Sequence, residues 1–335
     1  MSTSPQLTPQ RILTTLQAYR DSAALNTAVQ LDLFTRIAHG TDTPHKIAGE
    51  MGIPVRGVLI LCEYLAATGL LEKEDEQLKL TPESAAFLDR KSTKYVGTAV
   101  ESLNSPQLLR DFGRLTDSVR AGKSVSVNAS VFKGRPDWFG AARGIADPAA
   151  AAALFAEAVN FPPGDPLKIL DVGAQDGLFG IALANRYPKS VIVALDSPEA
   201  LREAQVNADA AKLRTRYQNI PGDPLDAPLG LEYDAVIIAE KLYQFEPAQI
   251  TTLFMRIRYA LKKGGRLVIV EFLSDETPQF AKEFVAFRLN LLAATPRGDV
   301  YSQAEVKGML ESSGFKSIEM QPLPALRATL VTGRP

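Results

Sequence analysis

Residues 168–177 read Lys-Ile-Leu-Asp-Val-Gly-Ala-Gln-Asp-Gly, and residues 191–196 read Val-Ile-Val-Ala-Leu-Asp. Each contains a short apolar run of the kind buried on both faces of a sheet. The first runs through Asp171 into a glycine turn and then a helix to about Tyr187; the second ends on Asp196 and leads into a helix from about Pro198 to Ala211. Strands alternating with helices predict a parallel sheet wrapped on both faces. The alternation continues with a weaker strand from Thr215 to Gly222 and another from Asp234 to Ala239. An amphipathic helix then ends at Gly264-Gly265, and a fifth strand spans Arg266 to Phe272. The last two runs, Lys316 to Met320 and Leu326 to Val331, have only a short Pro-containing link between them, which suggests an antiparallel hairpin.

Pro162-Pro163-Gly164-Asp165-Pro166 punctuates the chain ahead of this region and marks a boundary. Upstream, residues 8 to about 90 read as short helices. Ala23 to Ala38 carries a wide apolar stripe at helical spacing, stopped by Gly40; a second helix ends at Gly52, and a third runs from Pro54 to Gly69. Leu70-Leu71-Glu72, a charged turn and Leu78-Lys79-Leu80 then form the wing of a winged helix. A nucleic-acid role is disfavoured by charge. Residues 1–95 hold 10 Lys+Arg against 11 Asp+Glu, the candidate recognition helix offers only Arg56 opposed by Glu63, and phosphate contacts need basic side chains. A packing or dimerisation module is the better reading. Residues 96–165 look helical and less regular, with Asp147 as N-cap and Pro148 opening an Ala-rich helix. The expected division is therefore 1–95, 96–165 and 166–335.

The whole chain has 335 residues, ample for two cores at roughly 150 residues per domain. With 37 Lys+Arg and 38 Asp+Glu it is close to neutral, unlike a general nucleic-acid or polybasic membrane binder. Cys62 stands alone, so an internal disulfide and a Cys-based zinc site are both excluded and a reducing, cytoplasmic setting is expected. The N-terminus lacks a signal pattern, and no apolar run approaches the ~20 residues of a membrane span. His39 and His45 are the only histidines, so the α/β region works without a local imidazole base.

The turn after the first strand does not fit a dinucleotide: positions 175 and 178, which should be glycine, are Gln and Leu. Asp171 suits a positively charged ligand end better than a pyrophosphate. Asp196 lies 23 residues after Gly173, where a carboxylate accepts hydrogen bonds from ribose hydroxyls. Gly222-Asp223 offers a further carboxylate for an adenine amino group. Three acidic strand ends with no phosphate-binding lysine point to S-adenosylmethionine rather than NAD or ATP.

Those residues, with Leu33-Phe34, Trp138-Phe139, Leu261 to Glu271, Thr295 to Tyr301 and Gly314-Phe315, make nearly the whole chain resemble one family. It resembles the class I methyltransferases that include caffeic-acid-type, acetylserotonin and hydroxyneurosporene O-methyltransferases. The resemblance implies an α/β fold, a Rossmann-like seven-stranded methyltransferase domain preceded by a helical winged-helix dimerisation domain. It implies S-adenosylmethionine as donor with S-adenosylhomocysteine as product, no metal, a small aromatic or polyketide-like acceptor, and a homodimer through the N-terminal domain. Cofactor contacts are implied at Asp171, Gly173, Gln175, Gly177, Asp196, Gly222, Asp223, Pro224, Leu225 and Ala239. Acceptor contacts are implied at Trp138, Phe139, Phe284, Phe287, Arg288 and Leu291, with Phe155, Phe161, Leu292 and Arg143 in the same helical regions.

Three departures cluster at the chemistry. The glycine expected mid-turn is Gln175, its neighbour is Asp176, and the family's catalytic histidine is replaced by Tyr243 in Leu242-Tyr243-Gln244-Phe245. Glu271 corresponds to the carboxylate that orients that histidine. Tyrosine, with an ordinary pKa near ~10, is a poor base at neutral pH, so Tyr243 is expected to position the acceptor, held by Glu271. Oxygen is the expected methyl acceptor. Carbon methylation and a repurposed, non-methylating site remain alternatives, since a bacteriochlorophyllide-type branch also resembles this chain in carrying Tyr in the histidine slot.

Overall fold

The structure, a computed structural model, describes residues 7–126, 148–162, 164, 166–274 and 281–335. Trp138, Phe139 and Arg143 lie outside the described residues. The chain divides into two compact units at Ser105/Pro106.

The first unit contains α1 (Gln10–Gln17), α2 (Tyr19–Gln30), α3 (Leu33–Ala38), α4 (Pro44–Met51), α5 (Val55–Ala67), β1 (Leu71–Glu74), β2 (Gln77–Leu80), α6 (Pro82–Phe87) and α7 (Gly97–Leu103). The single apolar stripe of Ala23 to Ala38 is broken into two helices. Asp32 takes a left-handed φ of 54°, a conformation an aspartate tolerates, and the turn it makes delivers Leu33 and Phe34 into the core. Thr43 caps α4 by accepting from the Lys46 amide, with Pro44 at the first helical position, and Gly52 ends the helix at φ +65°. The wing forms as expected, Leu71 opposite Leu80. Cys62 is buried, and burial pushes its thiol up to about 11, so it is a packing residue and not a nucleophile.

The second unit adds α8 (Pro106–Gly113), α9 (Leu115–Ala121), α10 (Pro148–Ala158), β3 (Lys168–Val172), α11 (Leu178–Arg186), β4 (Val191–Asp196) and α12 (Pro198–Ala210). β5 (Tyr217–Pro221), β6 (Tyr233–Ala239), α13 (Pro247–Ala260), β7 (Leu261–Glu271), α14 (Ala281–Ala294), α15 (Gln303–Ser312), β8 (Lys316–Leu323) and β9 (Ala328–Arg334) complete it. One seven-stranded sheet runs β5-β4-β3-β6-β7-β9-β8. The first five strands are parallel and β9 is antiparallel to both neighbours. Side chains alternate between two cores: Ile169, Ile192 and Val268 pack toward Phe155 and Leu183, while Leu170, Val193 and Leu267 pack toward Phe254 and Phe315. Phe155 and Phe161 belong to the first core. Phe155 meets Phe179 edge-on, and Phe161 lies between the Tyr187 ring and the Arg266 guanidinium.

Gly264-Gly265 does not end the helix. α13 stops at Ala260, and the glycines form a bulge at the start of β7, where pairing jumps from Tyr233↔Leu261 to Ala235↔Arg266. Gly264 has φ +83°, and a Cβ on Gly265 would lie 2.8 Å from the Tyr233 carbonyl. No helix among the described residues is long and apolar enough to cross a membrane.

Candidate active site

The strand order reverses between β3 and β6, with β4 and β5 on one side and β7 on the other, and the cleft above such a reversal is where parallel sheets bind ligands. β3 enters it through Gly173, at φ +74°, whose amide donates to the Leu195 carbonyl at 2.8 Å. Gln175 follows, also left-handed at φ 53°. Its amide donates to Asp196 Oδ2 at 3.1 Å, and the Ser197 amide donates to Asp196 Oδ1 at 2.6 Å. The Gln175 side chain reaches across to β6, Nε2 donating to the Glu240 carbonyl at 3.3 Å. Gly177 opens α11 in a left-handed turn, and the Leu178 amide donates to Asp176 Oδ1.

Asp171 is placed differently from a residue meeting a ligand directly. It shares its sheet face with Ile169 and lies fully buried against Gly180 of α11, where a Cβ would come within 2.8 Å of Asp171 Oδ2. Among the described residues, neither its oxygens nor the nearby Tyr217 hydroxyl has a hydrogen-bond partner of ordinary geometry, although the Gly180 amide lies close by. Burial raises the Asp171 carboxyl to about 8, the Asp196 and Asp176 charges add to the rise, and the Gly180 amide pulls the other way. Burial likewise pushes the Tyr217 phenol up.

The strand ends add Ala239, which lines the cleft with Gly173 and Gln175, and Gly222, whose amide donates to the Asp196 carbonyl at 2.9 Å. Asp223 is exposed beside them and accepts from the Leu225 amide at 2.8 Å; Pro224 is buried. The residue that the sequence reading missed is Lys241. Its side chain lies across Gly173, and Nζ stands 3.5 Å from Asp196 Oδ2. The signal was a lone cation directly after an apolar strand, Ala239-Glu240-Lys241.

Beyond Lys241, a short 3₁₀ turn, Leu242–Gln244, carries Tyr243. Glu271, 2% exposed at the end of β7, anchors that turn, with Oε2 accepting from the Leu242 amide at 2.8 Å and Oε1 from the Phe272 amide at 3.0 Å. The Tyr243 hydroxyl accepts from Gln244 Nε2 at 3.1 Å. The Tyr243 ring meets Phe287 edge-on at 5.6 Å, and Phe272 stacks on Phe284 at 4.2 Å. Leu291 is buried one turn along the same helix, α14. Arg288, on the same helix, forms a two-pronged ion pair with Asp299 at the surface, at 2.6 and 2.9 Å.

Comparison with known proteins agrees over nearly the whole length. The O-methyltransferase dimerisation domain profile matches residues 13–90 and the O-methyltransferase domain profile matches residues 164–316. A crystal structure from Nostoc punctiforme presented as an O-methyltransferase is 33% identical, covering 98% of this chain and 100% of its own at a TM-score of 0.88. The tetracenomycin polyketide synthesis 8-O-methyl transferase of Streptomyces glaucescens is 28% identical over 97% of this chain and 94% of its own. Human N-acetylserotonin methyltransferase, solved with S-adenosylmethionine, shares the fold at a TM-score of 0.76 and 20% identity, covering 99% of both chains. The chain belongs to the S-adenosylmethionine-dependent O-methyltransferases that join an N-terminal dimerisation domain to the methyltransferase domain.

Proposed function

We propose that the acceptor is a flat aromatic or polyketide-like small molecule methylated at oxygen, and that the enzyme works as a cytoplasmic homodimer. The observation that carries the acceptor class is the aromatic wall of Tyr243, Phe272, Phe284 and Phe287 beside the turn anchored by Glu271. Such rings favour a planar apolar guest in offset-stacked or edge-on contact, and the Streptomyces relative's polyketide substrate is consistent with that. Ile12, Leu16 and Tyr19, all about two-thirds exposed on α1 and α2, supply an apolar face for a second copy.

The donor set suits S-adenosylmethionine in kind. Asp196 retains acceptor capacity for ribose hydroxyls beyond its two amide bonds, and at Gly173 the absent Cβ leaves a face that only the flexible Lys241 stem covers. When bound, that group supplies an electrophilic methyl. The protein's part is placement: the rings exclude water and hold the acceptor plane, Glu271 fixes the backbone of the Tyr243 turn, and the Tyr243 hydroxyl orients the acceptor oxygen. With both histidines in the first unit, catalysis is by orientation more than by a strong base, and orientation alone is worth several kcal/mol. Incubation with labelled donor and a panel of phenolic and carboxylic polycycles, read by mass spectrometry, tests this. An O-methylated product is expected. Carbon-methylated product, or none from a panel-wide screen with donor bound, overturns the oxygen assignment.

A further inference from the structure

Lys241 has none of the roles assigned above, yet it occupies the middle of the cleft. A Cβ built on Gly173 would lie 2.7 Å from Lys241 Cγ and Cδ and 2.8 Å from Cε, so the lysine stem rests on the face that glycine leaves bare. Its ammonium reaches the same carboxylate, Asp196, that the cofactor reading reserves for ribose. Both side chains are only about one-tenth exposed. Beside Lys241 lies a cavity of about 30 Å³ lined by Gly173, Gln175, Ala239, Glu240 and Phe179. Ligand pockets run to several hundred Å³. A ligand that lies on Gly173 and bonds Asp196 meets the Lys241 side chain at both places.

The geometry favours exchange over permanent blockage. The main chain around Lys241 is fixed: the Glu240 amide donates to the Val270 carbonyl at 2.9 Å, the Leu242 amide to Glu271 at 2.8 Å, and the Gln244 amide to the Lys241 carbonyl at 3.2 Å. Mobility is left to the four-carbon stem, which is flexible. The ion pair itself is loose, 3.5 Å against the ~2.7–2.9 Å of a well-made charge-assisted hydrogen bond. Asp196 is held in place without it, by the Gln175 and Ser197 amides.

We propose that Lys241 is an internal competitor for the cofactor site: closed, it covers Gly173 and holds Asp196, and the cofactor binds by displacing it from both. This rests on the reading of the cleft as the cofactor site. The observed affinity is then the intrinsic affinity scaled down by the fraction of molecules in which Lys241 has swung clear.

The test is calorimetric titration of S-adenosylhomocysteine into the full-length protein and its Lys241→Met and Lys241→Gln variants, each first checked by circular dichroism melting. Glutamine keeps much of the length but removes the charge, so it separates the ion pair from bulk, and it serves if the methionine variant fails to fold. Both variants are expected to bind at least tenfold tighter than the parent. Because side-chain swings are far faster than mixing, stopped-flow association should stay linear in ligand for all three proteins, with the parent's slope lower by about the same factor as its affinity. Equal affinity across the three proteins overturns the proposal, and weaker binding by the variants makes Lys241 a cofactor ligand instead. Absence of binding by parent and variants alike overturns the cofactor reading, and the competitor with it.

Discussion

Asp171→Asn isolates the electrostatic consequence of burying a carboxyl. In the folded protein Asp171 titrates at about 8, against 3.8 for a free side chain. Between those values the native state keeps a proton that the unfolded chain has released, so stability must fall as pH rises through this window and level off above the folded value. Each pH unit costs about 1.4 kcal/mol, which accumulates to about 4 kcal/mol at pH 7. Asparagine has nearly the same shape and no titration, so the difference between the two proteins removes every other group. Thermal melts from pH 5 to 8 should show the Tm gap moving in favour of the asparagine variant by about 3–5 °C per pH unit, given ~2–4 °C per kcal/mol for a unit of this size. The sign of the gap at any single pH also contains the asparagine's own unsatisfied amide, so the slope is the decisive quantity. Parallel pH curves would refute the reasoning, because they would mean that Asp171 is ionised in the fold and compensated.

Glu271→Gln replaces one acceptor oxygen facing a backbone amide with an NH₂ group; losing a charge-assisted bond of ~1.5–3 kcal/mol should lower the Tm by several degrees and depress kcat together. Tyr243→Phe keeps the ring contact with Phe287, so the fold and the donor affinity should hold while kcat/KM for the acceptor drops about tenfold, roughly the worth of one orienting hydrogen bond; unchanged turnover makes Tyr243 a plain wall residue. Arg288→Ala should change acceptor KM by less than about threefold and stability by under ~1 kcal/mol, since Arg288 serves an exposed ion pair with Asp299. A large KM rise would return it to the acceptor pocket. S-adenosylhomocysteine binding measured in buffers of different ionisation enthalpy should release no proton from Asp171, which is buried behind the glycine turn; a proton released near neutral pH would place it against the ligand.

The sheet was legible because its information is local. The β-branched runs at 168–172, 191–196 and 233–239 each fill both faces of a parallel strand, and only a doubly covered sheet gives such runs a home. The errors fell where a local signal had two meanings. Gly264-Gly265 is as good a helix stop as it is a bulge, and what decided it was the close approach of the Tyr233 carbonyl to Gly265, a contact between residues 32 positions apart in the chain. Asp32 is a polar residue within an apolar stripe, and its left-handed turn is chosen by the burial of Leu33 and Phe34 that follows.

The site shows the same limit more sharply. The strand-end positions of Asp196, Gly173 and Glu271 were legible, because the apolar runs before them mark where each strand stops. Which way a side chain points was not. Asp171 and Lys241 both sit at strand ends. One turns under the glycine turn into the α11 face and is neutralised by burial, while the other turns over it and meets Asp196. The parity of β3 settles the first, since Asp171 must share a face with Ile169. Nothing in the period of the sequence settles the second, because Lys241 lies past the end of β6, where alternation no longer applies. Its direction follows from Glu240, left-handed at φ 52°, which turns the chain back over Gly173 before the 3₁₀ turn begins. Lys241 is thus aimed by a backbone conformation that its own sequence neighbours do not advertise.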